Sequence, residues 1–340
     1  MPVQLDGQIA WQLGFFYLPD IVGELPRTGE RSAAACVGAD LSRPGGGVRQ
    51  PPSHAPTNIH FVVEPFGKVH IDRYFVRDRR KVMDQKIHPL EQLPLYDVAG
   101  PRNAFPIVLV HGAAATRKMW IPQMEALADE FRVIAVDLPG HGKLREQPFR
   151  LEAAAQAVME SLRQQTNERA LIVGLSLGGY VAMACAHEHS QEIAGLVLSG
   201  CSIDYRGAIG ILSWLDSSIV TTFFSEDRLS RMQAKTLRSM FPEALVEPQL
   251  KAGFSWKVAP QAYRELASHD FYAMLGSFPG PALILNGEND KLNRKREAVL
   301  LRATRDGQLQ MVKQAGHLCN LEQPEVFTHQ VRTFAKRLSS

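Results

Sequence analysis

Apolar runs alternate with helix-like stretches along most of this chain, and that alternation limits its fold more than any other feature. Continuous apolar runs are typical of strands buried on both faces of a parallel sheet. They occur at residues 107–110, 133–136, 171–173 and 196–198, and two later runs, 282–285 and 309–312, fit the same scheme. Helical patterns separate several of these runs, at residues 120–131, 151–162 and 180–187. Repeated strand–helix units predict an α/β fold, with a mostly parallel sheet and helices on both of its faces.

A long insertion, residues 203–268, interrupts the alternation between the fourth and fifth runs. Its apolar residues recur at helical spacing from 212 to 223, and those from 229 to 241 indicate a second helix. An all-helical insertion after a strand is placed to cover one end of the sheet, so we call it the lid. Its aromatic side chains either contact a partly hydrophobic substrate or form the lid's own core; they are Trp214, Phe223, Phe224 and Phe241.

The first 82 residues differ from the rest, because Gly, Pro, Arg and Ser are mixed there without a persistent period. We predict that they form a largely disordered or loosely attached extension. The α/β domain is then residues 83–340, and segments 86–88 and 93–98 supply the antiparallel strands that open it. In a rival interpretation, residues 59–76 form a hairpin docked on that domain.

Composition narrows the possible functions. The chain has 340 residues and a net charge of only +3, too little for the basic field that nucleic-acid binding needs. It has no apolar run of about 18 residues that could span a membrane, and the apolar patch at 9–18 lacks the basic lead-in of a signal peptide. The four scattered cysteines indicate free thiols in a reducing compartment. We expect a cytoplasmic protein with a small-molecule substrate and no nucleic-acid or membrane partner.

A G-x-S-x-G motif occupies residues 174–178, where one apolar run ends and a helical pattern begins. Strand before and helix after are the context of a nucleophile elbow, a tight turn that presents its serine at a helix N-terminus. Flanking glycines relieve the crowding of such a turn. A chance serine in a Gly-rich turn is the alternative, and the flanking elements disfavour it. Ser176 is therefore the predicted nucleophile.

A serine nucleophile needs a base, and 11 histidines are candidates. His317 follows the last apolar run, and loops at the carboxyl ends of parallel strands form the rim of an active site. His111 and His141 lie in Gly-rich turns, where the ring ties down a loop by hydrogen bonds. His187 and His189 end a helix and are expected at the surface. The position favours His317 as the general base.

The base in turn needs a carboxylate that holds its tautomer. Asp290 follows the fifth apolar run directly, which places the candidates in the chain order Ser, Asp, His. Glu288 is the nearest alternative, and Asp204 is a weaker third. For the oxyanion hole, two backbone amides are needed. Leu177 follows the nucleophile, and Ala113 lies in the turn after the first apolar run, which could also be a plain strand-to-helix loop.

Five motifs in order resemble those of the α/β-hydrolase superfamily, over about residues 83–340. They are H-G-A-A at 111–114, D-L-P-G-H-G at 137–142, G-L-S-L-G-G at 174–179, G-E-N-D at 287–290 and A-G-H at 315–317. Within the superfamily the chain is similar to the small esterase, enol-lactonase and C–C hydrolase group. A serine nucleophile argues against dehalogenases and epoxide hydrolases. Lys143-Leu144 departs from the usual continuation of the second motif.

The resemblance implies an enzyme that transfers an acyl group to water through an acyl-enzyme on Ser176. The expected substrate is a carboxylic ester or lactone of a small, partly hydrophobic molecule, and no metal or organic cofactor is required. Cleavage of a C–C bond by the same triad stays open. A non-catalytic ligand-binding protein on the same scaffold is disfavoured, because all three triad residues are present.

Overall fold

The computed structural model describes residues 96–339, which contain a seven-stranded sheet. Its strands are β1 (Tyr96–Ala99), β2 (Pro106–Val110), β3 (Arg132–Val136), β4 (Ala170–Leu175), β5 (Ile193–Ser199), β6 (Pro281–Gly287) and β7 (Asp306–Val312). Their order across the sheet is β1-β3-β2-β4-β5-β6-β7. β1 pairs antiparallel with β3, and every other neighbouring pair is parallel. The predicted mostly parallel α/β sheet is confirmed.

The described region has twelve α-helices, ten between strands and two after the last strand. They are α1 (Ile121–Leu127), α2 (Leu151–Arg163), α3 (Leu177–Glu188), α4 (Ala208–Phe223), α5 (Glu226–Met240), α6 (Glu243–Ala252), α7 (Ala259–Ala267), α8 (Phe271–Ser277), α9 (Lys291–Arg294), α10 (Glu297–Ala303), α11 (Cys319–Glu322) and α12 (Pro324–Ser339).

The sheet has a hydrophobic core on each face because successive side chains of a strand point in opposite directions. Ile107 and Leu109 of β2 belong to the cluster that includes residues of α1 and α12. Val108 and Val110, one residue out of phase, belong to the cluster that includes residues of α2, α3 and α8. In α3 every residue from 177 to 186 is buried, as expected for a helix that is apolar all round.

Two local predictions need correction. The helix expected over residues 120–131 ends at Leu127, because the chain then turns and buries Phe131 before β3 begins. The run at 309–312 forms a strand, but the burial expected for both of its faces is wrong. Leu309 and Met311 are 38% and 41% exposed, because β7 is an edge strand with one face uncovered.

The lid contains four helices, α4 to α7, where the sequence pattern predicted two. The two missed helices each begin beside a proline: Pro242 precedes α6, and Pro260 lies in the first turn of α7. Proline is tolerated at or just before a helix start because the first N–H groups of a helix have no partner within it. These start signals were present in the sequence.

Helix α4 turns its small residues inward and its large ones outward. Gly210, Ser213 and Ser217 are buried. An added Cβ at Gly210 would lie 2.0 Å from the carbonyl oxygen of Tyr205 and 2.6 Å from the Cβ of Ala267, so only glycine allows this contact with α7. Phe223 is 78% exposed, which corrects the expectation that it lines a substrate site or the lid core. Phe241 is buried, whereas Trp214 and Phe224 are partly buried against the two clusters.

No single helix within residues 96–339 has the length and hydropathy to cross a membrane. Helices α4 and α5 meet these criteria only as a pair, and the chain bends by 105° between them.

Several predictions fall outside the described residues. The extension at 1–82, the rival hairpin at 59–76 and the strand at 86–88 all lie there. The strand predicted at 93–98 is present from Tyr96 onward as β1, in the antiparallel pairing expected of it.

Candidate active site

Ser176 occupies a sharp turn between β4 and α3. Its backbone has φ +55° and ψ −119°. This conformation is unfavourable for a residue with a side chain, and it persists only where the surrounding structure enforces it. Its amide donates to the carbonyl of Ser199 at the end of β5, over 2.7 Å. An added Cβ at Gly178 would lie 2.1 Å from the carbonyl oxygen of Val110, so glycine is needed for α3 to approach β2. The turn therefore has the geometry of a nucleophile elbow.

Strained backbone is concentrated in three loops around this turn. In the described region, the non-glycine residues with positive φ are Ala114, Ser176 and Gln314. Ala114 follows the predicted oxyanion donor by one residue, and Gln314 precedes His317 by three. Strain of this kind tends to cluster at functional sites, where packing holds an unfavourable conformation in place.

Asp290 and His317 form a hydrogen-bonded pair. Nδ1 of His317 lies 2.8 Å from Oδ2 of Asp290. Asp290 is 8% exposed and caps the short helix α9, where the side-chain amide of Asn293 donates to both of its oxygens at 3.1 and 2.9 Å. The carboxylate is thus held from one side by Asn293 while it accepts from the imidazole on the other.

The electrostatics of the pair favour its charged forms. Burial opposes ionisation of Asp290, but the charge and hydrogen bond of His317, with the hydrogen bonds from Asn293, lower the pKa of Asp290 below its usual value. Burial likewise opposes protonation of His317. The charge and hydrogen bond of Asp290, with the charge of Glu322, outweigh it and raise the pKa of His317. An imidazolium formed during a reaction would be stabilised here.

The two rival carboxylates have other partners. Oε2 of Glu288 accepts the backbone amide of Gln314 at 3.0 Å, and Asp204 is bound by the guanidinium of Arg206. The structure therefore places Asp290, rather than Glu288 or Asp204, against the ring of His317.

Ser176 and His317 each contact the end of β5. The carbonyl of Ser199 accepts from Ser176, and the next residue, Gly200, packs against the imidazole. Gly200 has φ +60°, and an added Cβ there would lie 2.7 Å from Cε1 of His317. Within the described residues, the hydroxyl of Ser176 has no hydrogen-bond partner. Hydrogen bonds between a catalytic base and its nucleophile often become short only once substrate is bound.

Within the described residues, the turn at 112–115 presents two unpaired amides, those of Gly112 and Ala113. Ala114 donates to Nε2 of His141 at 3.1 Å, and Ala115 donates to the carbonyl of Gly112 at 3.3 Å. No acceptor in the described part of the chain reaches the amide of Ala113. The amide of Leu177 opens α3, so it has no partner within that helix. An added Cβ at Gly112 would lie 3.3 Å from Cβ of Ser176, so this turn adjoins the serine.

His111 and His141 have the structural role that their Gly-rich context predicts. Burial lowers the pKa of His111 to about 4 and the pKa of His141 to about 3, so both rings are neutral near pH 7. In each ring Nε2 accepts a backbone amide, from Leu138 and Ala114 respectively. His141 thereby fixes the turn that carries Ala113.

Comparison with known proteins decides the family. The model described as "Alpha/beta hydrolase family" matches residues 107–330, more than half of the chain. The chain belongs to this family. Between residues 96 and 339, no group of three or more His, Cys, Asp or Glu side chains is placed to hold a metal ion.

Two curated relatives and one solved structure illustrate the similarity. The chain is 26% identical over 256 residues to 3-oxoadipate enol-lactonase 1 of Acinetobacter baylyi, covering 71% of this chain and 92% of that protein. It is 26% identical to the dihydrolipoyllysine-residue acetyltransferase component of the acetoin cleaving system of Pseudomonas putida, covering 70% of this chain. The chain spans only 65% of that relative. A thermophilic esterase from Thermogutta terrifontis matches with a TM-score of 0.58 and 25% identity, covering 72% of this chain and 93% of that chain.

The sequence analysis missed two residues that form hydrogen bonds within the candidate site, Asn293 and Glu322. Asn293 clamps Asp290, and its spacing of three residues is a helix-cap signal that could have revealed it. The carboxylate of Glu322 accepts the amides of Gly316 and Leu318, at 2.8 and 3.2 Å. These are the residues on either side of His317. No motif marks Glu322, although it lies only four residues beyond Leu318.

Proposed function

We propose that this chain is a serine hydrolase that cleaves a carboxylic ester or lactone of a small, partly hydrophobic substrate through an acyl-enzyme on Ser176. The observation that carries the proposal is the 2.8 Å contact between His317 and Asp290 beside a strained elbow serine. Because Nδ1 of His317 is engaged by Asp290, Nε2 is the nitrogen left to accept a proton.

In the proposed reaction, Ser176 attacks the substrate carbonyl while His317 takes its proton. The amides of Ala113 and Leu177 bind the oxyanion that develops, and Asp290 stabilises the imidazolium. His317 then gives the proton to the departing alcohol oxygen. Water repeats the sequence on the acyl-enzyme, with His317 as base, and releases the acid. Each oxyanion donor in such a site contributes about 10²- to 10³-fold to turnover.

The relatives support this reaction class. One is named as an enol-lactonase and one as an esterase, and the chain covers more than nine-tenths of each. Both names describe cleavage of a carboxylic ester bond, cyclic in the first case. An ester or lactone is therefore the substrate class that these relatives support best.

Covalent labelling tests the proposal. A fluorophosphonate probe is expected to label the wild-type protein and not Ser176→Ala, and that variant should lose several orders of magnitude in turnover of p-nitrophenyl esters. Ser268→Ala, a substitution at an exposed lid serine, is the matched control and should label fully. Labelling that survives in Ser176→Ala would assign the nucleophile elsewhere. A wild-type protein that cleaves β-diketones and no ester would replace ester hydrolysis with C–C bond hydrolysis.

A further inference from the structure

Helix α4 of the lid carries an exposed apolar side. Within residues 96–339, ten large hydrophobic side chains are at least 38% exposed, and six of them lie on α4. An isolated exposed apolar residue is ordinary on a protein surface, whereas a contiguous apolar patch marks a place where another molecule or a membrane binds. We call this group the α4 patch; its members are Ile209, Ile211, Leu212, Leu215, Ile219 and Phe223.

The α4 patch is continuous and points away from the domain. Four of its members, at positions 212, 215, 219 and 223, recur at the spacing that keeps residues on one side of a helix. The opposite side of α4 is built from Gly210, Ser213 and Ser217, which are buried. Asp216 is the one charged residue of α4, and it is half-buried. The patch itself is therefore uncharged, and Phe223 is its most exposed member at 78%.

A run of basic residues follows the α4 patch in the chain. Residues 228–242 include four basic side chains and no acidic one. The acidic residues nearest in sequence are Glu226 and Asp227 in the first turn of α5, and Glu243, which pairs with Arg238 at 3.2 Å. The four basic side chains are exposed and recur at helical spacing along one side of α5, at Arg228, Arg231, Lys235 and Arg238.

The two features meet at the junction of the helices, where the chain bends by 105°. The guanidinium of Arg228 lies 4.8 Å from the ring centroid of Phe224. Phe223 is the neighbouring residue in the chain, so the basic run begins next to the most exposed member of the patch. An apolar helix side with basic residues beside it is typical of segments that lie at a membrane interface.

We propose that the α4 patch and the basic side of α5 bind an anionic lipid surface, with α4 lying along the membrane interface. The apolar side chains of such a helix are buried at the boundary between headgroups and acyl chains, and nearby Lys and Arg side chains attract anionic headgroups. A second copy of α4 would cover the patch but offers only the half-buried Asp216 to the basic side of α5. The expectation of no membrane partner rested on the absence of a spanning run, and a helix on the surface needs none.

Vesicle flotation of the full chain tests this inference. We expect the wild-type protein to bind vesicles of phosphatidylcholine and phosphatidylglycerol at about 2:1, and to bind pure phosphatidylcholine about tenfold or more weakly. Added salt should weaken the binding, because it screens the attraction between the basic side chains and the headgroups. The binding does not involve Ser176, so its outcome is independent of the proposed function.

Two substitutions separate the apolar and the basic contributions. Phe223→Ser should weaken binding by about tenfold or more, because the membrane no longer buries an aromatic ring. Arg231→Gln should weaken binding about fivefold. Val326→Ser and Arg302→Gln are the matched controls, at exposed positions on α12 and α10, and should bind as the wild-type protein does.

Three results would overturn the inference. One is a wild-type protein that does not float with the anionic vesicles, and another is a Phe223→Ser variant that binds them as the wild-type protein does. The third is a dimer, seen by sedimentation velocity without lipid, that Phe223→Ser converts to a monomer; the α4 patch would then join two copies. Phe223→Ser should keep the melting temperature and the p-nitrophenyl acetate hydrolysis of the wild-type protein. If it does not, Leu212→Ser on the same patch replaces it in the comparison.

Discussion

A substitution at Glu322 perturbs the loop at residues 316–318, here called the histidine loop, without changing a residue of the triad. Its carboxylate accepts the amides on both sides of His317, from Gly316 at 2.8 Å and from Leu318 at 3.2 Å. Glu322→Gln keeps the shape of the side chain. It removes the charge and replaces one acceptor oxygen with an amide group that cannot accept. One of the two backbone amides therefore loses its partner.

The structure sets the expected size of the effect. A hydrogen bond to a charged group contributes about 1.5 to 3 kcal/mol, and 1.4 kcal/mol corresponds to a tenfold change. If half of the loss appears as misplacement of the imidazole, kcat falls by about 3- to 10-fold. The other half appears as a lower melting temperature. KM should change little, because the carboxylate of Glu322 binds the backbone of the histidine loop and not the proposed oxyanion turn.

The pH profile distinguishes positioning from a loss of stability alone. His317 must be neutral to act as base, so kcat/KM falls as the pH drops through its pKa. That pKa is raised above the usual histidine value of about 6.5, in part by the charge of Glu322. The acid limb of the wild-type profile should therefore lie above pH 6.5, and Glu322→Gln should move it to lower pH.

The assay is the pH dependence of p-nitrophenyl acetate hydrolysis, with a melting curve for each variant. Glu325→Gln is the matched control, because it removes the same charge from an exposed position three residues further along. It should leave the acid limb in place. The reasoning is refuted if Glu322→Gln lowers only the melting temperature, or if the acid limb stays fixed or moves to higher pH.

Two other predictions concern the acid and the N-terminal segment. Asp290→Asn should preserve the fold and lower kcat by about 10⁴-fold, because the imidazole takes the wrong tautomer. Glu288→Gln should change kcat little. If Glu288→Gln instead causes the large loss of kcat, the assignment of the acid is reversed. A chain that begins at Met83 should fold, hydrolyse the same esters and melt at the same temperature. The sequence before Met83 has no periodic apolar face to bury, so burial cannot offset the conformational entropy lost on ordering, roughly 1 to 2 kcal/mol per residue. A truncated protein that is insoluble or melts many degrees lower would make those residues part of the domain.

Local pattern was sufficient to predict the framework of this protein. A strand buried on both faces has to be apolar at every position, so segments such as 107–110 and 171–173 were visible as strands. The elbow was visible for a similar reason. Only glycine tolerates the close approach at position 178, and the motif therefore marks both the turn and the serine within it. These features depend on residues close in sequence, which is why the sequence alone determined them.

The tertiary structure decided what covers each surface and which side chains meet. Periodicity predicted an apolar face on α4, but that face is the exposed one, because Gly210 and its neighbours allow α7 to pack closely on the opposite side. The pairing of His317 also depended on the folded chain. Asp290 and His317 are 27 residues apart, and they meet because the loops after β6 and β7 lie at the same edge of the sheet. Glu322 was missed for another reason: it binds amides only four and six residues before it, but no motif marks it.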